Sequence, residues 1–333
     1  MRGFLGFISL LFLTAFLAAA GVLFGLHLYS DTGPLSQEKF VIIAPGSGVS
    51  TIAATLDSEN VISSPLLFKI AVRLSEKQSK LQAGEYKFER GISMDRVIDK
   101  IASGDIFVRQ VTIPEGKTSY ETVQILKAHD GLKKSETKEL SIPDEGSLLP
   151  GTYRYQSGDT ARAIIEKMRS GMETALNTAW EKRAGNLPLN NKQEALILAS
   201  IIEKETGAPE ERRRVAGVFI NRLEKGMLLQ TDPTVIYGLT EGRHAQDGEG
   251  PLNRRLLTRD LRKDTPYNTY MNEGLPPGPI CNPGKESIEA ALNPERHDYF
   301  YFVADGTGGH AFSKTLDEHN RNVAKWRKIR SGQ

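Results

Sequence analysis

Cysteine is nearly missing from this chain. Cys281 is the only one in 333 residues, so an intrachain disulfide framework and a Cys-rich metal site are both excluded. A lone thiol leaves the redox compartment open. Histidine is scarce too, and His297, His310 and His319 lack the short spacing of metal ligands, so no metal is expected. Neither sign of charge is in excess, with 43 Lys+Arg against 41 Asp+Glu; the chain therefore lacks the electrostatic footprint of a nucleic-acid binder. The run Arg212, Arg213, Arg214 would fan around a helix axis and reads as a solvated helix face. No Gly-x-Ser-x-Gly elbow or phosphate loop occurs, which argues against serine-hydrolase and nucleotide chemistry and leaves no cofactor to expect.

One absence is local. From Phe4 to Tyr29 there is no Asp, Glu, Lys or Arg, and as a helix this run would extend roughly 39 Å, against a hydrocarbon core of about 30 Å. Ala18, Ala19 and Ala20 would suit signal-peptide cleavage, but Val22, Leu23, Phe24 and Leu26 continue the apolar run beyond them, which suits a retained anchor better. Arg2 precedes the span and Asp31 follows it, so the positive-inside rule puts the bulk of the chain outside the cytoplasm. Residues 1–30 are thus expected to be a cytoplasmic tip and transmembrane helix, and 31–38, with Gly33 and Pro34, a linker.

The next stretch, 39–170, reads as an α+β module. Phe40 to Ile43 has strand character, Pro45-Gly46 a turn, and Val49 to Leu56 a helix. About 70 residues on, Val111, Ile113, Gly116 and Leu126 stand where Val41, Ile43, Gly46 and Leu56 stood. Leu81-Gln-Ala-Gly-Glu-Tyr-Lys-Phe likewise matches Leu148-Leu-Pro-Gly-Thr-Tyr-Arg-Tyr, each followed by a helical pattern. The expectation is an internal duplication. A second domain, 171–333, changes texture. Asn190 with Gln193 has the spacing of a capping box, and Ala195 to Ile202 is apolar almost without a break, as in a buried helix. Gly207 is placed to end that helix, and Pro209 to open the next, which stops at Gly226. Gln230 to Pro283, rich in Gly, Pro and Asn, reads as a long loop region, where sites tend to lie. Tyr299–Val303 and His310–Phe312 suit a hairpin, and Thr315 with Glu318 a capped terminal helix.

Chemistry centres on Glu205. One helical turn back lie Ile201 and Ile202, so its carboxyl leaves from an apolar face. Desolvation and the negative end of the helix dipole would both raise its pKa, as general acid catalysis near neutrality requires. Glu203 lies about 200° around the helix and cannot face it. On helix mechanics alone the simpler reading is two ordinary helix-end charges, Glu203 solvated and Glu205 paired with an arginine.

Several longer strings carry more. Leu198-Ala-Ser-Ile-Ile-Glu-Lys-Glu-Thr206, Val218-Phe-Ile-Asn-Arg-Leu223, Leu229-Gln-Thr-Asp-Pro-Thr-Val-Ile-Tyr-Gly238, Tyr267-Asn-Thr-Tyr270, Gly274-Leu-Pro-Pro-Gly-Pro-Ile280, Asn282-Pro-Gly284 and Tyr301-Phe-Val303 before Gly309-His310 together resemble the endolytic murein transglycosylase (YceG-like) family. Ile202 to Thr206 is also similar to the helix-end Glu-Ser/Thr element of lysozyme-like lytic transglycosylases. The resemblance implies a LysM-like module that grips glycan, a lysozyme-like catalytic domain, and peptidoglycan strands as substrate. It also implies a site at the inner membrane with the bulk of the chain in the periplasm, beside penicillin-binding protein synthases. Glu205 would protonate the oxygen leaving N-acetylmuramic acid and then accept the proton of that sugar's own C6 hydroxyl as a 1,6-anhydro ring closes. Gln230 and Asn268 become candidate donors to sugar groups, and Tyr237, Tyr267 and Tyr270 candidate stacking faces, with satisfied core aromatics equally open for each. Asp232 is the other acid inside a matched motif, though an Asx turn before Pro233 would explain it. His310 is expected to hold the hairpin. Gly151, where the family commonly has an acid, and Cys281, at a position expected to be small, depart from its pattern. A hydrolytic muramidase and a catalytically silent glycan-binding scaffold are the rival readings.

Overall fold

The uncharged N-terminal run forms one helix, α1 (Arg2–Ser30), in the computed structural model, which describes residues 2–133, 140–243, 252 and 254–332, with residues 2–10 described by backbone alone. Leu11–Ser30 is long and apolar enough to cross a membrane, with none of it buried in the protein. The segment after it is not a free linker. Gly33 N–H donates to Gly91 O (3.2 Å) and Gly91 N–H to Leu35 O (2.8 Å), with Leu35 buried, so 31–38 is pinned to the fold.

Contacts divide the chain into two compact units, 1–109 with 154–158, and 110–153 with 159–333. The division falls inside the stretch expected to be one module, at its midpoint. In the first unit, β1 (Lys39–Ile43) pairs antiparallel with β2 (Gly84–Phe88), and α2 (Val49–Ser58), α3 (Pro65–Leu74) and α4 (Met94–Ser103) complete it. Val41, Ile43, Leu56, Phe68, Val72, Tyr86, Phe88, Val97, Ile98 and Ile101 make its core. The period-2 burial of β1 and the 3.6-residue stripe of α4 are the patterns that put these side chains inside.

A similar order of elements follows, with no counterpart of α3 among the described residues. Strand β3 (Arg109–Ile113), helix α5 (Ser119–Ala128), strand β4 (Gly151–Tyr155) and helix α6 (Ala161–Glu181) follow, with β3 paired to β4. The corresponding turn glycines share their backbone, Gly46 and Gly116 at φ 79° and 72°, and Gly84 and Gly151 at 152° and 148°. All four angles favour glycine.

The rest of the second unit is helical: α7 (Lys192–Glu205), a 3-10 turn (Pro209–Glu211), α8 (Arg212–Glu224), α9 (Asp232–Thr240) and α10 (Lys285–Leu292), then the hairpin β5 (Tyr301–Ala304) and β6 (His310–Ser313), and α11 (Leu316–Ser331). Ala195 to Ile202 of α7 are all buried, so this helix is the spine of the core, with α8 and α10 packed on it. Gly217 sits mid-helix in α8 because a Cβ there would come within 2.3 Å of Glu295 O. Two capping expectations shift. Asn191, not Asn190, caps α7, taking the Glu194 N–H at 2.9 Å, and Asn190 donates to the Glu194 carboxylate instead. Gly207 does not adopt a left-handed cap; α7 ends because Thr206 turns extended (φ −136°). The capping box of Thr315 and Glu318 forms as expected.

The arginine run is a solvated face only in part: Arg213 is exposed, but each of the three side chains meets a partner. Arg212 lies 3.6 Å from Glu115, Arg213 donates to Asn293 O (2.7 Å), and Arg214 to Glu295 (3.0 Å). Nor is Gln230 to Pro283 all loop, since Asp232 opens α9 with Pro233 in its first turn, where the missing N–H has no partner to lose.

Candidate active site

Glu205 is the last residue of α7, and the buried row behind it withdraws its carboxyl from water. Loss of hydration raises its pKa to about 7, helped by the negative charge of Asp232; His310, Arg222 and a hydrogen bond from Thr231 pull the other way. The residue as a whole keeps part of its surface open to solvent, while its carboxyl is buried. A carboxyl poised there is substantially protonated at neutral pH.

What holds it is a buried hydroxyl cluster. Thr231 Oγ1 donates to Glu205 Oε1. Thr231 is fixed in turn by its N–H to Thr269 Oγ1 (3.1 Å), and Thr234 Oγ1 binds Thr231 O (2.7 Å) and contacts Thr269 Oγ1 (2.8 Å). All three threonines are buried. Gln230, just before, has φ 48°, a strained backbone that sends its N–H to Thr269 O (3.1 Å) and leaves its side chain exposed. Asp232 is no Asx turn. Its Oδ1 accepts the Tyr270 hydroxyl at 2.6 Å. Burial raises the Tyr270 pKa, as does that bond.

The remaining candidates separate. Asn268 is buried, and its side chain is used entirely on backbone: it donates to Leu261 O (3.1 Å) and Lys263 O (2.8 Å) and accepts from Tyr270 N–H (3.0 Å). It shapes the loop and is not a sugar donor. Tyr237 and Tyr267 lie against each other, centroids 4.8 Å apart, and pack on the core. Tyr237 is five residues along α9 from Asp232, about 7.5 Å, so this pair stands beside the acid's surroundings and not within them. His310 does hold the hairpin: its N–H and Nδ1 meet the two oxygens of Glu211 at 2.9 and 2.6 Å. The same imidazole also acts electrostatically on Glu205.

Three features went unnoticed in the sequence. Glu145 accepts from Ser119 N–H (2.8 Å) and the Tyr237 hydroxyl (3.3 Å), and burial raises its pKa to about 7. Arg222, buried, donates to Phe300 O (2.7 Å) and Leu229 O (2.9 Å), tying the residue before the hairpin to the segment before Thr231, and desolvation lowers its pKa. Asn282, fully buried, accepts from Leu148 N–H (2.8 Å) and donates to Lys117 O (3.0 Å) and Ser119 Oγ (3.2 Å). Both Arg222 and Asn282 stand inside the motifs that carry the family resemblance, which was the available signal. A cavity of about 1320 Å³ lies elsewhere among the described residues, lined by α6, the start of α8 and α10. No residue around Glu205 lines it, so chemistry and not volume locates the site.

Residues 41–325 match the YceG-like family. The chain belongs to that family. A Bacillus subtilis relative, an endolytic murein transglycosylase, is 36% identical over 85% of this chain and 83% of its own length. One from Streptococcus pneumoniae with the same designation is 28% identical over 96% of this chain, which spans 64% of it. A YceG-like protein of known crystal structure, from Listeria monocytogenes, is 33% identical, with a TM-score of 0.54 over 86% of this chain and 98% of its own.

Proposed function

We propose that this YceG-like chain is an endolytic murein transglycosylase, a lyase that cuts the β-1,4 bond between N-acetylmuramic acid and N-acetylglucosamine within peptidoglycan strands. The observation that carries the reading is Glu205, a carboxyl with its pKa near 7 at the end of a buried apolar helix. Protonated Glu205 gives its proton to the glycosidic oxygen as the C1–O bond breaks. The muramic acid C6 oxygen then bonds to C1, and the C6 hydroxyl proton passes to the Glu205 carboxylate, restoring the acid. Because the nucleophile is tethered in the substrate, effective molarity replaces a positioned water. Ordinary glycoside hydrolysis needs a second carboxylate free to act, and Asp232 is engaged by Tyr270.

Around Glu205, Thr231 orients the acid, and Gln230, Asp232 and Tyr270 meet the sugar nearest the cut. Tyr237 and Tyr267 offer aromatic faces further along. The first α+β unit and its continuation to residue 170 serve as the LysM-like glycan grip, and 171–333 as the lysozyme-like catalytic domain. The single apolar helix anchors the chain in the inner membrane with its bulk in the periplasm, where penicillin-binding protein synthases extend the strands it would terminate. The test incubates the full chain and Glu205→Gln with peptidoglycan strands and identifies new ends by mass spectrometry. Anhydro-muramic ends that vanish with Glu205→Gln are expected. Reducing ends would mean hydrolysis, and binding without cleavage a scaffold.

A further inference from the structure

Helix α3 is apolar on two sides. Phe68 and Val72 are buried in the first unit's core, with Leu67 and Ala71 partly so. On the opposite side Leu66, Ile70 and Leu74, spaced by four, are 64%, 46% and 81% exposed. Between those faces remain only Lys69 and Arg73, both exposed and without an ion-pair partner among the described residues. A helix apolar nearly all round belongs in a core or in lipid, and an exposed stripe of three large aliphatic residues calls for an occupant.

Its neighbour names the occupant. The membrane-spanning helix α1 packs on α3 and α4, and a Cβ at Gly25 would lie 3.9 Å from Leu67 Cδ1. Tyr29 is packed against the same core, and the 31–38 segment is pinned by Gly33 and Leu35, so α3 cannot drift from the end of the span. The uncharged run begins at Phe4, and about 20 residues cross the hydrocarbon. Gly25 then falls at the boundary of acyl chains and headgroups, and α3 lies level with it.

We propose that α3 is an interfacial helix, its Leu66, Ile70 and Leu74 side chains dipping into the outer edge of the bilayer and Lys69 and Arg73 reaching lipid phosphates. Apolar side chains at the acyl boundary with flanking cations are the pattern of helices that lie in a membrane surface, and long basic side chains extend to the headgroups. The first unit would thereby be held against the membrane at a fixed height. This rests on the reading of α1 as an anchor.

The test places nitroxide labels singly at Leu74→Cys and, as reference, Phe16→Cys in α1, in the full chain carrying Cys281→Ala and embedded in phosphatidylglycerol nanodiscs. Leu74 is so exposed that its label leaves the fold intact, checked by circular dichroism. Collisions with oxygen, which concentrates in lipid, are compared with those of a water-soluble nickel chelate. Oxygen-dominated collisions at both sites are expected, with those of the chelate at 74 falling severalfold when the label enters the bilayer. Oxygen dominance at 16 with chelate dominance at 74 overturns the inference and leaves the anchor standing. Chelate dominance at both overturns the two together, and a label at 74 shielded from both reagents also overturns it, since protein and not lipid would then cover the stripe.

Discussion

At the scale of single residues, the environment of Glu205 makes predictions of known sign. Glu205→Gln removes the transferable proton while keeping the shape, and cleavage should fall by about 10²–10⁴-fold, read as anhydro ends per unit time. In the unaltered enzyme the active form is protonated, so the rate should decline as pH rises through about 7. Two neighbours move that limb in opposite directions. Thr231 hydrogen-bonds the carboxylate and holds its pKa down, so Thr231→Val should shift the limb to higher pH; Asp232 repels it, so Asp232→Asn should shift the limb to lower pH. Parallel shifts in the pH–rate profiles would sink the assignment. The apolar face behind Glu205 was legible from the 3.6-residue period, but that period alone favoured an ordinary helix-end charge, and the role of an acid came from the resemblance of the longer strings. Asn268 was not legible, because an amide's partners depend on how Leu261 and Lys263 pass it in space.

At the scale of elements, the strand-turn-helix units were legible through their glycines, whose positive φ is a local demand that sequence records directly. Helix α9 was hidden because Thr-Asp-Pro has the letters of a turn and nine residues are too few to establish a period. The tie between the segments around Ser119, Leu148 and Asn282 was equally hidden, being made by one side chain across large sequence separations. Asn282→Ala should therefore act as a packing and hydrogen-bond lesion. It strands the Leu148 N–H and other buried groups, at a cost on the order of 3 kcal/mol, visible as a lowered denaturation midpoint. Gly217→Ala is expected to cost a similar amount, about 2 kcal/mol from overpacking, despite alanine's higher helix propensity, because the Glu295 carbonyl must move. A stabilised Gly217→Ala protein would mean that α8 does not approach residue 295 so closely.

For the whole molecule, activity and stability decline together as pH rises toward neutrality. Glu205 and Glu145 each titrate at about 7 in the folded chain, against an ordinary value near 4.5. The native state therefore binds more protons than the unfolded chain between those values, and stability falls as pH rises across that window. The contribution is full below about 4.5 and gone above about 7. Asp260, held down to about 2 by Arg254, acts only in more acid solution. His319, whose pKa burial lowers, works in the opposite direction near 6.5, so a difference measurement is cleaner than a single curve. Replacing both carboxyls by Glu145→Gln and Glu205→Gln removes the two titrations while costing a fixed amount for altered hydrogen bonds. The thermal midpoint of the double variant should rise relative to the unaltered chain on going from pH 5 to pH 8, whatever their order at pH 5. Such a gain would mean that the buried acid is maintained against stability, as sites tuned for catalysis often are. An unchanged difference between the two pH values would mean that neither carboxyl is raised in the fold, and the case for Glu205 as an acid near neutrality would fall with it.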